Sequence, residues 1–292
     1  MRALALMLAA ALPLAARAHA TAELPPSWSN WNSAPWLVVS MLLAAGGYAL
    51  GVRRLWRNAG RGRGIALRQA GAFAAGWLAL AMALVSPLDA LGGWLFSAHM
   101  VQHELLMVVA APLLVLGRPL AAWAWALPAG ASRAVGRWTG RGPWSLLWGA
   151  LTDPLAAWAL HALALWSWHV PALFDAALHD EAVHIAQHVS FLATALFFWW
   201  AVLGHDPRGR YGPGPSVAYL FTTMLHTAAL GALLSLAPTP WYPAYLIPAA
   251  SLGVDPVQDQ QLGGLVMWVP AGFAYVAAAL SVVGRMLTRV RA

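Results

Sequence analysis

The chain has 292 residues, 61% of them hydrophobic and 9% charged, with a formal net charge of +7 and no cysteine. Soluble domains carry about a quarter charged residues, so this composition points to a polytopic membrane protein. The lack of cysteine excludes disulfides, thiolate metal sites and cysteine nucleophiles, and leaves His, Met, Asp, Glu or backbone groups to hold any metal.

Arg2, the apolar stretch from Ala3 to Ala16 and Ala18-His19-Ala20 read as a signal peptide over residues 1–20, cleaved after Ala20. The alternative is retention as an extra short span. Residues 21–33 then form a short extracytoplasmic segment, and 34–292 a single transmembrane domain. The expected fold is an all-α helical bundle. Its seven spans are expected near 34–52, 66–86, 95–117, 154–170, 184–204, 216–237 and 263–284.

All seventeen basic residues are arginine, and their placement sets the orientation. Six lie between the first two spans (Arg53, Arg54, Arg57, Arg61, Arg63, Arg68) and four between the third and fourth (Arg118, Arg133, Arg137, Arg141). Two follow the fifth (Arg208, Arg210) and three the seventh (Arg285, Arg289, Arg291). The alternate loops hold no arginine but carry Asp89, Asp175, Asp180, Glu181, Asp255 and Asp259. The positive-inside rule places the N-terminus outside and the C-terminus inside. The basic excess is therefore topological, and no nucleic-acid partner is implied. The loop 118–153 is expected to hold an amphipathic surface helix.

The third span opens with Ser97-Ala98-His99-Met100-Val101-Gln102-His103-Glu104. Imidazoles and a carboxylate are costly at this depth unless something uses them. Residues i and i+4 share a helix face, about 6 Å apart along the axis, which suits two ligands of one metal. His184 and His188 repeat the spacing at the start of the fifth span, and His169 ends the fourth, before Pro171. With His179 in the adjoining loop, these residues fall in the outer half. The alternative is a set of interfacial histidines bonded to carbonyls or water.

Imidazole suits zinc, copper and iron, and thioether favours copper(I), so Met100 and Met107 are possible soft partners. Facing an oxidising compartment, the set leans toward copper. Glu104 and Asp259 are expected beside the ligands rather than on the metal. For Glu104 the other readings are ligand, proton relay, or a neutral acid bonded between helices. Asp259, in the polar run 255–261, is read as a cap for its own helix or as part of the mouth. Gly263 and Gly264 are expected to permit close helix contact. Pro238 to Tyr245 fits an aromatic belt on the outer leaflet, and tryptophans such as Trp28, Trp31, Trp36, Trp94, Trp199 and Trp200 fit interface anchors.

The blocks HMVQHELLM, WSWHVPALFDAAL, HIAQHVSFLATALFFWWAVLG, LGALLSLAPTPWYPAY and DQQLGGLVMW resemble, in that order, the multi-span CtaG-type assembly factors for caa-type cytochrome c oxidase. The resemblance covers roughly residues 90–275. It implies an inner-membrane protein, not an enzyme, that works with cytochrome c oxidase subunits. It also implies a part in supplying copper, with an extracytoplasmic copper donor as a further partner besides the lipid bilayer. By position, the family's motif histidines fall on His99, His103, His169, His184 and His188. Where that pattern has an acid before the last of these, this chain has Gln187. Two other readings stand beside it. One is a haem-binding membrane protein using His161 and His226. The other is a metal-independent chaperone whose histidines only bond helix to helix.

Overall fold

A computed structural model describes residues 25–204 and 212–290. The signal-peptide reading of residues 1–20, His205, Arg208, Arg210 and Arg291 lie outside the described residues. Those described form helices and connecting turns, with no strand among them.

Among the described residues, six helices are long and apolar enough to cross a membrane. They are α1 (Pro35–Ala59), α2 (Leu67–Leu84), α4 (Phe96–Leu116), α10 (Glu181–Leu203), α11 (Pro213–Ser235) and α13 (Pro256–Val290). Between them lie the shorter helices α3 (Pro87–Gly92), α5 (Pro119–Ala126), α6 (Ala129–Thr139), α7 (Pro143–Leu151), α8 (Pro154–Trp168), α9 (Pro171–His179) and α12 (Leu246–Ser251).

The expected fourth span is the one that differs in kind. α8 has 15 residues, set between Asp153-Pro154 and His169. At 1.5 Å per residue it extends about 23 Å, short of the ~30 Å hydrocarbon core. Asp153 caps its start by accepting from Leu155 N (3.1 Å) and Ala156 N (3.3 Å), and Pro171 starts α9 after a short turn. The expected surface helix in the loop after α4 is present as α6. The polar run after Pro256, read from sequence as a loop, is helical and forms the first turns of α13.

α4 is the centre of the bundle and the most buried of the six. It packs against α2, α10 and α13. Phe96, His99, Met100, Gln102, His103 and Glu104 are all buried, so the first turns of this helix are enclosed on most of their circumference, with only the Ser97 and Val101 side partly exposed. It opens into a π-helical stretch over Leu105–Ala110. Pro112 supplies the reason: it has no N–H to give the carbonyl four residues back, and its ring crowds that carbonyl. The ladder widens instead, with Ala111 N bonding Leu106 O. Within the widened turn, Met107 O accepts a hydrogen bond from Trp199 Nε1 of α10 at 2.9 Å. Trp199 is 3% exposed, so it joins α10 to α4 inside the core rather than anchoring an interface.

α10 buries one stripe, His184, Gln187, His188, Phe191, Ala195, Phe198 and Trp199, at helical spacing. The expected glycine contacts are present. A Cβ at Gly264 would come within 2.7 Å of Gly231 O, so α13 and α11 meet backbone to backbone. Gly263 lies under Phe96 and Met100 of α4.

Candidate metal centre

Five imidazoles converge at the end of the bundle that carries the acidic loops. His99 and His103 come from α4, His184 and His188 from α10, and His169 from the C-terminal end of α8. Each pair on a helix is brought together by its four-residue spacing: ring centroids are 4.3 Å apart for His99 and His103, and 4.1 Å for His184 and His188. Between the helices, His103 lies 5.4 Å from His188 and 6.3 Å from His169, and His99 lies 5.8 Å from His184. One ring nitrogen from each of His99, His103 and His188 lies within 4.8 Å of the other two. All five residues are buried.

The second nitrogen of two rings is fixed by backbone. His99 Nδ1 faces Gly92 O at 3.3 Å, and His169 Nδ1 faces Leu165 O at 2.7 Å. A carbonyl only accepts, so both rings donate from Nδ1 and carry the lone pair on Nε2, the form a metal takes. His169 Nε2 is buried without a hydrogen-bond partner, and both ring nitrogens of His103 are in the same condition.

Aromatic side chains close over the centre. Phe174 of α9 lies 5.0 Å from the His99 ring and 6.2 Å from the His169 ring. Above it, Tyr242 lies tilted against Phe174 (4.1 Å) and stacks on Phe96 (5.0 Å). Tyr242 OH donates to His169 O (2.9 Å), and Tyr245 OH donates to Gly92 O (2.8 Å), the carbonyl that also receives His99. Burial pushes both phenols above their usual range, so they remain donors. Within the segment read as a leaflet belt, the two tyrosines thus pack inward as a cover, Tyr242 2% and Tyr245 3% exposed, while Pro238, Thr239 and Pro243 stay exposed. Apolar burial of these rings outweighs lying in an interface.

Asp259 acts on a different helix from the expected one. It accepts from Phe96 N (2.6 Å) and Ser97 N (3.3 Å), and its carboxylate also bonds Ser97 Oγ. It therefore caps α4, whose own N-cap position is occupied by Leu95 and offers no acceptor. Asp255 caps α13 by accepting from Gln258 N (2.9 Å). Met100 is turned toward α13, where a Cβ at Gly263 would lie 3.3 Å from its Cγ. Met107 contributes its carbonyl to Trp199. Glu104 is buried, with Oε2 lacking a hydrogen-bond partner. His179 is exposed and bonds Asp175 O (2.7 Å), apart from the cluster. His161 Nδ1 lies 3.3 Å from Thr194 Oγ1, and His226 stands edge-on to Trp158 at 5.5 Å. Two buried amides also stand among the histidines, Gln102 on α4 and Gln187 on α10. Gln102 Nε2 donates to Ala83 O (2.7 Å) and Asp89 Oδ1 (2.8 Å), whereas neither amide atom of Gln187 has a partner.

The family model for the cytochrome c oxidase caa3 assembly factor matches residues 46–289, which include every residue of this centre. The chain belongs to that family. Over 250 residues it is 30% identical to an uncharacterized protein of Mycobacterium bovis and to one of Mycobacterium tuberculosis, covering 80% of this chain and 36% of each relative. An uncharacterized protein of Mycobacterium leprae is 29% identical over 209 residues, covering 66% of this chain and 30% of the relative. This assembly-factor chain thus spans about a third of the length of the curated relatives it matches. No solved structure matches it.

Proposed function

We propose that this member of the caa3 assembly-factor family holds copper as cargo in the five-histidine centre and passes it to an oxidase subunit during maturation. The observation that carries the reading is His103: 2% exposed, with both ring nitrogens buried and unbonded, and facing two other imidazoles. Leaving a buried polar group unpaired costs about 1–3 kcal/mol, a cost that a bound metal ion removes. Imidazole donors without thiolate suit copper or zinc, and copper fits a family that serves an oxidase. His99, His103 and His188 are the leading ligands, with His169 and His184 completing or exchanging into the set. Asp259 acts through the helix that presents His99 and His103. Met100, turned toward Gly263, is a weaker candidate than the imidazoles.

The same reading has seven spans, with the N-terminus outside, the C-terminus inside and the centre near the outer face. Its support is the arginine alternation, which needs α8 to cross: arginines fill the segment before it, and Asp175, Asp180 and Glu181 follow it.

Elemental analysis of the purified protein tests the cargo. About one copper per chain is expected, and loss of most of it in a His99→Ala/His103→Ala variant of unchanged helicity. A protein that takes up no metal after anaerobic exposure to copper(I) would overturn the proposal and leave a metal-independent chaperone.

A further inference from the structure

Residues 118–152 contain four arginines and no acidic residue. They fold as α5, α6 and α7, and neither α6 nor α7 buries any residue against the bundle. Arg133 and Arg137 stand one turn apart on α6, and Arg141 follows just past its end. All three are exposed, and with Gly136 and Gly140 they line an open concavity of about 420 Å3. The two glycines leave this strip of the surface without side chains, so the guanidinium groups border a hollow rather than a ridge. Beside it, Trp138 stacks on Trp144 with centroids 5.6 Å apart and planes 12° from parallel. Trp138 is 54% and Leu146 75% exposed. A cationic hollow edged by exposed apolar side chains has the two-part chemistry of a membrane surface.

We propose that Arg133, Arg137 and Arg141 seat the phosphate of an anionic phospholipid, with the Trp138 side of α6 lying in the adjoining acyl region. Guanidinium groups bind phosphate oxygens through paired N–H donors, and three of them around one hollow offer more donors than a single phosphate can use. A zwitterionic lipid presents the same phosphate together with its own cation, which the three arginines repel. The site therefore selects net negative headgroups. It is independent of the copper reading, because it lies outside the histidine centre and needs no metal.

Native mass spectrometry of the full detergent-purified chain, offered phosphatidylglycerol or phosphatidylcholine, tests this. The wild-type chain is expected to retain phosphatidylglycerol preferentially. The preference should fall roughly fivefold for each arginine neutralised, through R133Q and R133Q/R137Q to R133Q/R137Q/R141Q. A second variant, R53Q/R54Q/R57Q, removes equal charge elsewhere and should keep it. Equal losses in both triple variants would reduce the effect to net charge and overturn the site. So would displacement of the lipid by millimolar inorganic phosphate, which would mark a free-anion site. An unchanged lipid preference, with loss of a co-purifying acidic protein, would reassign the hollow to a protein partner.

Discussion

His103 and His184 sit in one cluster but not in equivalent places. His103 belongs to the trio whose nitrogens lie within 4.8 Å of one another, and it has no other use for either nitrogen. His184 lies 4.1 Å from His188 and 5.8 Å from His99 and is outside that trio. His103→Ala is therefore expected to weaken copper binding by more than about 100-fold, above the range for losing an outer partner of a ligand, and His184→Ala by about tenfold. Competition with a chromogenic copper(I) chelator gives both values. Equal losses would show that His184 is a full ligand. Tyr245→Phe probes an outer partner. It removes the donor to Gly92 O while His99 keeps its own bond to that carbonyl, so binding should weaken by less than tenfold. Release should also quicken, because the phenol fastens the cover over the centre. Stopped-flow transfer to the chelator would measure that rate, and an unchanged rate would remove Tyr245 from the cover's hold.

At the scale of elements, the centre is fixed by polar bonds that reach α4 from each neighbour. Asp259 holds its start from α13, Gln102 holds its first turns to Ala83 and Asp89, and Trp199 holds its π turn from α10. Asp259→Ala leaves the amides of Phe96 and Ser97 without their acceptor and removes a negative charge from a helix N-terminus. A loss of about 1–2 kcal/mol is expected, with Asp259→Asn between the two. Thermal unfolding in detergent checks the order, and a D259A protein as stable as the wild type would contradict it. Part of this scaffold is readable in the chain. The four-residue histidine spacing fixes each pair on one face, and Pro112 marks where the α4 ladder cannot continue. The partners of Asp259 are not readable, because an acid in the first turn of α13 looks like a local cap while the helix it serves lies 163 residues away. Leu95 at the α4 N-cap is the one clue, since it signals a helix start in need of an acceptor. Trp199 and the tyrosine cover were hidden for the same reason: a tryptophan or tyrosine near a span end fits an interface and a core equally well until its packing is known.

At the scale of the whole molecule, the sequence supplies two measures of topology that disagree at α8. Length counts six crossing helices, whereas charge alternation requires seven. With six, residues 61, 137, 179 and 251 would all face one side, and the arginines after α13 would face the other. With seven, residues 61 and 137 face the cytoplasm and residues 179 and 251 the outside. The charge pattern carries more weight, because a short helix can cross where the bilayer thins or flanking polar side chains reach the interface, at a fraction of a kcal/mol per Å. Placing arginines in the translocated segment would instead oppose the orientation set by every other loop. The chain has no cysteine, so single substitutions give background-free labels. Arg61→Cys, Arg137→Cys, His179→Cys and Ser251→Cys all fall at exposed positions outside the histidine centre. In intact spheroplasts, an impermeant maleimide is expected to label residues 179 and 251 and to reach 61 and 137 only after permeabilisation. Matching behaviour at 137 and 179 would mean that α8 turns back within the membrane.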